Sequence, residues 1–239
     1  MNKPKVLIFD IETFPIIASV WGLKDQNISL NQIRQDWSVM AWGAKWLGQK
    51  QVYYRDTSCN KDVRDDKNIL EGMWKLLDEA DVVITQNGKG FDSKKLNARF
   101  IQHGMKPPSP YKHLDTYLIA RSAADFTSNK LEYLTANLNT KYKKDGHKNF
   151  PGMSLWNECE KGNWRAWAEM KKYNILDVLS TEELYTKLKD WAPQAMPSVH
   201  HNCPTRYHVS WGIRPAGGVM YKRMFCKKCK IYFKGDKCA

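Results

Sequence analysis

The stretch Lys5–Thr13 reads KVLIFDIET: continuously apolar from Val6 to Phe9, then acidic at two of the next three positions. A short apolar run without alternation marks a strand buried on both faces. Such a strand belongs in the middle of a sheet, here with charge at its carboxyl end. Asp10 and Glu12 stand two apart, so both side chains project from one face. A charged pair on a buried strand costs free energy unless something binds it. The chain is therefore constrained to an α/β layering with two acids at the end of a central strand.

The rest of the first 190 residues supplies matching elements. Trp37–Leu47 and Gln51–Asp56 are strand-like, and Asn68–Glu79 has helical spacing through Ile69, Met73, Leu76 and Leu77. Asp81–Thr85 is another short apolar strand. Phe91–His103 is helical, and the prolines at 107, 108 and 110 stop it. Helices are expected over Asn129–Asn137, Asn163–Lys171 and Lys172–Asp190. Three strands, a helix, a strand and then mainly helices predict a mixed sheet, with antiparallel neighbours followed by a crossover. At 239 residues and 42% apolar content, the chain has material for one to two domains. No apolar run approaches the roughly 18 residues of a membrane span. The amino terminus has no secretory apolar region, so a cytoplasmic location is expected.

Two further acids stand in suggestive settings. Asn87-Gly-Lys-Gly-Phe91-Asp92 follows a strand and opens a helix. Asn-Gly favours a turn, and Asp92 could simply cap the helix. In Tyr173-Asn-Ile-Leu-Asp177 the phenol and the carboxylate lie four apart and share a helix face. A buried tyrosine beside an exposed aspartate would give the same pattern.

Taken in order, a strand pair of acids, a loop-to-helix Asp and a late-helix Asp with Tyr four before it resemble the DEDD (DnaQ-like) 3′–5′ exonucleases of the ribonuclease H-like superfamily. Lys172 stands where one branch has His, while Tyr173 fits the tyrosine (DEDDy) branch, as does the approach Gly162-Asn-Trp164…Lys172-Tyr-Asn-Ile-Leu-Asp177-Val. The resemblance implies a ribonuclease H-like mixed β-sheet flanked by helices over residues 1–192. It implies that Asp10, Glu12 and Asp177 hold one metal, that Asp10 bridges to a second, and that Asp92 helps to place it. Tyr173 would orient the attacking water. Thr13 would contact the terminal nucleotide, and Asn87 and Phe91 would line the substrate cleft. Asp115, in HLDTYLIAR, is read as a helix cap with at most a supporting role. Crowded carboxylates raise one another's pKa, and divalent cations reverse that. Oxygen ligands suit Mg2+ or Mn2+. Two such ions about 3.5–4 Å apart can activate water and stabilise the departing oxygen. Cys59 and Cys159 are read as inert.

The carboxy-terminal part differs. The protein carries a formal charge of +13. From Ser198 to Ala239 nine basic residues face one acid, and four of the six cysteines fall in the last 37 residues. Residues 193–199 read as a linker, and residues 200–239 as a basic zinc ribbon. Cys203, His208, Cys226 and Cys229 are the expected ligands of one structural Zn2+. Arg206 stands where a ribbon usually has Cys, which leaves His200, His201 and Cys238 as rivals to His208. Lys222, Arg223, Lys227 and Lys228 would neutralise phosphates, with Trp211, Tyr221, Phe225 and Tyr232 as stacking rings. The ribbon could instead dock a protein partner.

The expected activity is a metal-dependent 3′–5′ exonuclease that releases nucleoside 5′-monophosphates from single-stranded DNA, as a phage or bacterial accessory enzyme. RNA is the close alternative substrate. The competing classes are a catalytically silent nucleic-acid-binding platform and a structure-selective endonuclease.

Overall fold

The computed structural model describes residues 4–143, 147–192, 203–216, 219–228 and 231–238. β1 (Val6–Phe14) leads into a two-stranded ribbon of β2 (Ile17–Ala18) and β3 (Ile33–Gln35). Then come β4 (Ser38–Trp46), β5 (Val52–Asp56), α1 (Lys67–Glu79), β6 (Val82–Thr85), α2 (Asp92–Gln102) and β7 (Lys112–Asp115). Four helices follow: α3 (Thr116–Ala123), α4 (Leu131–Asn137), α5 (Ser154–Glu160) and α6 (Trp164–Leu188).

The main sheet has the order β5-β4-β1-β6-β7. β4 is antiparallel to both β1 and β5, whereas β1, β6 and β7 run parallel. The short connection from β4 to β5 suits a hairpin, while the parallel steps each need a crossover, supplied by α1 and α2. The expected mixed sheet flanked by helices is what forms. β1 lies in its centre and is buried on both sides. Val6 and Ile8 pack with Val178, Leu184 and Tyr185 of α6, while Leu7, Phe9 and Ile11 pack with Leu70 and Met73 of α1 and Leu96 of α2. Each such fully buried side chain contributes about 1.5–3 kcal/mol. A third cluster joins Phe14 and Met40 to Leu155 of α5 and to Trp167 and Met170 of α6.

The expectation of two helices over Asn163–Lys171 and Lys172–Asp190 is corrected. Residues 164–188 form one helix of 25 residues, about 37 Å long. Lys171 and Lys172 lie on its exposed side and break nothing. Its first turns cover the third cluster and its last turns the first, so Tyr173–Asp177 falls at the seam between them. β7, α5 and the small β2–β3 ribbon carry no clear signal in the sequence, whereas α3 begins directly after Asp115, the residue read as a helix cap.

After residue 203, β8 (His208–Ala216), β9 (Val219–Cys226) and β10 (Ile231–Lys237) form an antiparallel sheet in the order β10-β9-β8. The expected linker, 193–199, lies outside the described residues, as do His200, His201 and Cys229.

Candidate active site

The side-chain parity of β1 builds the site. Asp10 and Glu12 continue the face of Val6 and Ile8, which is the face that α6 covers. α6 delivers Asp177 to the same place, and carboxylate oxygens of Asp10, Glu12 and Asp177 lie within 4.8 Å of one another. Among the described residues this is the one group of three or more metal-ligating side chains so arranged. Asp177 is 3% exposed, not the solvated residue that its spacing also allowed.

Asp92 stands at the first position of α2. It does not cap its own helix. Its Oδ1 accepts the Ile11 N–H at 3.0 Å, between the two acids of β1. Burial pushes its pKa up to about 7; the Ile11 N–H pulls the other way, and the charges of Asp115 and Asp177 add to the rise. Asp92 therefore feels the charge of Asp177, and β1, α2 and α6 together bring the acids to one end of the sheet.

The turn before Asp92 is tightly specified. Asn87 has φ +63°, and a Cβ on Gly88 would lie 2.4 Å from Thr85 Oγ1, so only glycine fits there. Asp115, at the end of β7, holds this turn. Its carboxylate accepts N–H groups from Asn87 at 2.8 Å and Lys89 at 3.0 Å, and it caps α3 through Tyr117 N–H at 3.0 Å. The cap reading holds, and the same carboxylate also anchors the loop that carries Asn87 and Phe91. Both of those residues are exposed. Thr13 follows Glu12 across a register shift against β4 and is half-buried.

Tyr173 sits one helical turn before Asp177. Its ring meets His147 edge-on at 5.4 Å between centres and Trp156 of α5 at 6.2 Å. These two packing partners carry no spacing signal in the sequence. A further residue that the sequence did not reveal is Asn174, fully buried, whose Nδ2 donates to Asp10 Oδ2 at 2.8 Å and also contacts Asp10 O at 3.3 Å. Gly43 of β4, paired with Asp10, makes room for it, since a Cβ there would lie 2.4 Å from Asn174 Oδ1.

In the carboxy-terminal sheet Cys203 and Cys226 are buried, and His208 stands opposite Cys226 in the β8–β9 register. The Lys227 N–H donates to Tyr207 O at 2.8 Å, tying the turn after β9 to the turn before β8. Lys222 and Arg223 fall on β9, and Lys227 and Lys228 on the turn that follows it; Lys228 Nζ lies 5.6 Å from the centre of the Tyr207 ring.

Comparison with family models matches residues 34–189 to the RNase_H superfamily. The chain belongs to this superfamily. Its structure is similar to that of the family B DNA polymerase from the hyperthermophilic archaeon Pyrobaculum calidifontis, with a TM-score of 0.57 at 17% identity. The likeness covers 78% of this chain and spans a quarter of the polymerase's length. Comparison with curated proteins gives no match. Membership of the superfamily supports a nuclease function, and with it the binding of nucleic acid. No helix among the described residues is long and apolar enough to cross a membrane.

Proposed function

We propose that the chain is a 3′–5′ exonuclease of the tyrosine-bearing DEDD type, which releases nucleoside 5′-monophosphates from single-stranded DNA. The observation that carries this reading is the convergence of Asp10, Glu12 and Asp177 within 4.8 Å, with Asp92 bonded to the backbone between the first two. Crowded, partly desolvated carboxylates repel one another, and an all-oxygen donor set of this density fits Mg2+ or Mn2+. Asp10, Glu12 and Asp177 would hold one ion, and Asp10 with Asp92 a second. When bound, the ions would make water a competent nucleophile and stabilise charge on the departing 3′ oxygen.

The protein's own groups do the positioning. Asn174 fixes one oxygen of Asp10 and so orients the other. Tyr173, held by His147 and Trp156, presents its hydroxyl one turn from Asp177 and orients the attacking water. Asp115 sets the turn from which Asn87 and Phe91 line the path of the terminal nucleotides, and Thr13 contacts the last sugar. In this reading residues 1–192 form the catalytic unit, 193–199 a linker and 200–239 a basic ribbon that grips phosphates in the cytoplasm. One structural Zn2+ would bind Cys203, Cys226 and Cys229, with His208 as the fourth ligand. The two buried thiols and the tie between the two turns support this. So does the short span, which needs a staple to fold.

The test is a paired digestion of 5′-labelled single-stranded DNA and RNA, by wild type and Asp10→Ala, in Mg2+, Mn2+ or EDTA. The expected result is a metal-dependent ladder shortening from the 3′ end, stronger on DNA and absent in the variant. Cleavage that survives Asp10→Ala, or an internal cut in a circular strand, overturns the assignment. For the ribbon, metal analysis should find one zinc in wild type and none in Cys226→Ser; equal content refutes it.

A further inference from the structure

Between β1 and β4 the chain leaves the body of the domain and returns. Pro15 to Asp36 form an arm closed by the β2–β3 ribbon, with Ile17 opposite Gln35 and Ala18 opposite Ile33. Ser19 N–H donates to Gln32 O, and Gln32 Nε2 donates back to Ser19 O, both at 2.9 Å. The two feet are pinned by one side chain. Arg64 Nη1 donates to Pro15 O at 3.1 Å and Asp36 O at 2.9 Å, its Nε pairs with Glu160 at 2.6 Å, and its guanidinium lies 5.1 Å from the centre of the Phe14 ring. The arm is thus held at its base, yet its tip presents Trp21 and Leu23 completely to solvent, at 99% and 102% exposure. Large apolar side chains left bare on a braced loop mark a surface that meets a partner.

The position of the arm says which partner. Its outgoing foot begins directly after Phe14, the last residue of the strand that carries Asp10 and Glu12. Its return foot runs into Trp37 and then β4. Trp37 is stacked on Lys95 of α2, whose Nζ lies 3.6 Å from the centre of the indole and 5.6 Å from that of Phe91. Phe91 in turn precedes Asp92. A row of ring, cation and ring therefore leads from the foot of the arm to the acidic cluster. Alternating aromatic and basic side chains suit a strand of bases and phosphates.

We propose that the arm, through Trp21 and Leu23, and the Trp37–Lys95–Phe91 stack at its foot form the seat for the unpaired strand that feeds its 3′ end to the acidic cluster. This deepens the exonuclease reading and rests on it. Base stacking on Trp21 and Trp37 would engage nucleotides upstream of the scissile one, so the seat acts on long strands and not on a single nucleotide.

The experiment compares two substrates in Mn2+: a 20-nucleotide oligothymidylate, and the p-nitrophenyl ester of thymidine 5′-monophosphate, which is too small to reach the arm. The variants are the double substitution Trp21→Ala with Leu23→Ala, and Lys95→Gln, with Trp191→Ala as an exposed-tryptophan control. The ratio of kcat/KM for the oligonucleotide to that for the ester is expected to fall about tenfold in each arm or stack variant, through KM for the oligonucleotide, and to stay at the wild-type value in Trp191→Ala. A wild-type ratio in both the double variant and Lys95→Gln overturns the seat, leaving the surface to a protein partner. The underlying activity fails separately: it is lost if Asp10→Ala hydrolyses either substrate as wild type does. Fluorescence anisotropy of the oligonucleotide in EDTA reads the seat without catalysis, and unchanged affinity in the double variant also overturns it.

Discussion

Asn174 Nδ2 donates to Asp10 Oδ2 at 2.8 Å, joining α6 to β1. The amide is completely buried, so it holds one Asp10 oxygen in a fixed position. Groups that orient a ligand carboxylate typically matter 10–100-fold for metal affinity. Asn174→Leu, close in size and apolar, is expected to weaken Mn2+ binding by about tenfold or more while the protein stays folded. Titration calorimetry with Mn2+ checks this; wild-type affinity in the variant would show that Asp10 needs no such support.

Gly43 faces this amide across the β4–α6 contact. A methyl group there would lie 2.4 Å from Asn174 Oδ1 and 3.1 Å from Val178 Cγ2. Neither atom can retreat without moving α6, because both are enclosed. Gly43→Ala is expected to lower stability by about 1–3 kcal/mol, the usual range for overpacking, and to reduce Mn2+ affinity with it. Urea unfolding followed by fluorescence, beside the same calorimetry, reads both; loss of stability without loss of metal affinity would mean that the helix shifts as a unit.

Lys45 lies on the α6-covered face of β4, 5% exposed, and is paired with Glu182. Glu182 also accepts the Gly48 N–H at 2.9 Å. Removing one partner strands the other charge in the interior. Glu182→Leu is expected to destabilise by about 3–5 kcal/mol. Adding Lys45→Met should restore most of the loss, since an apolar pair of similar volume carries no unpaired charge. Chemical denaturation of the single and double variants decides this, and additive losses would contradict it.

His113 of β7 is enclosed between Thr85 Oγ1 at 2.7 Å and Ser93 Oγ at 3.3 Å, with the Tyr111 ring edge-on. Burial pushes its pKa down to about 4; Asp115 opposes this and Lys89 adds to it. The unfolded chain takes up a proton near the ordinary value of 6.5, the folded chain only near 4. Between these values the unfolded state binds more protons, so stability falls as pH falls through that window. Urea midpoints at pH 7.5 and pH 5 should differ more for wild type than for His113→Gln. Parallel losses would place the acid sensitivity elsewhere.

The legible parts of this site are those whose chemistry shows in one short segment. The apolar run broken by Asp10 and Glu12 announces both a central strand and its acidic end. Tyr173 and Asp177 announce a helix face, and Asn87-Gly88 a turn. Asn174 and Gly43 announce nothing, because an amide and a glycine become specific only once β4, β1 and α6 are stacked. The same holds for Asp115, whose cap is local but whose grip on the Asn87 turn is tertiary. β7 was hidden because a four-residue strand following a proline-rich stretch has too little pattern to read. α6 reads as two helices in the sequence because its buried stripe passes from one core cluster to another, so its periodicity does not follow a single face.

The acidic cluster has a temporal consequence. Asp10 and Glu12 leave the ribosome early, Asp92 midway, and Asp177 only with the long last helix of the sheet domain. A nascent chain halted before that helix holds three of the four acids and lacks both Asn174 and Asp177. The cluster closes only when α6 lies across β1 and β4, the step that also completes two of the three core clusters. Completion of the fold and assembly of the acidic group are therefore one event, and an unfinished chain cannot hold the cluster together.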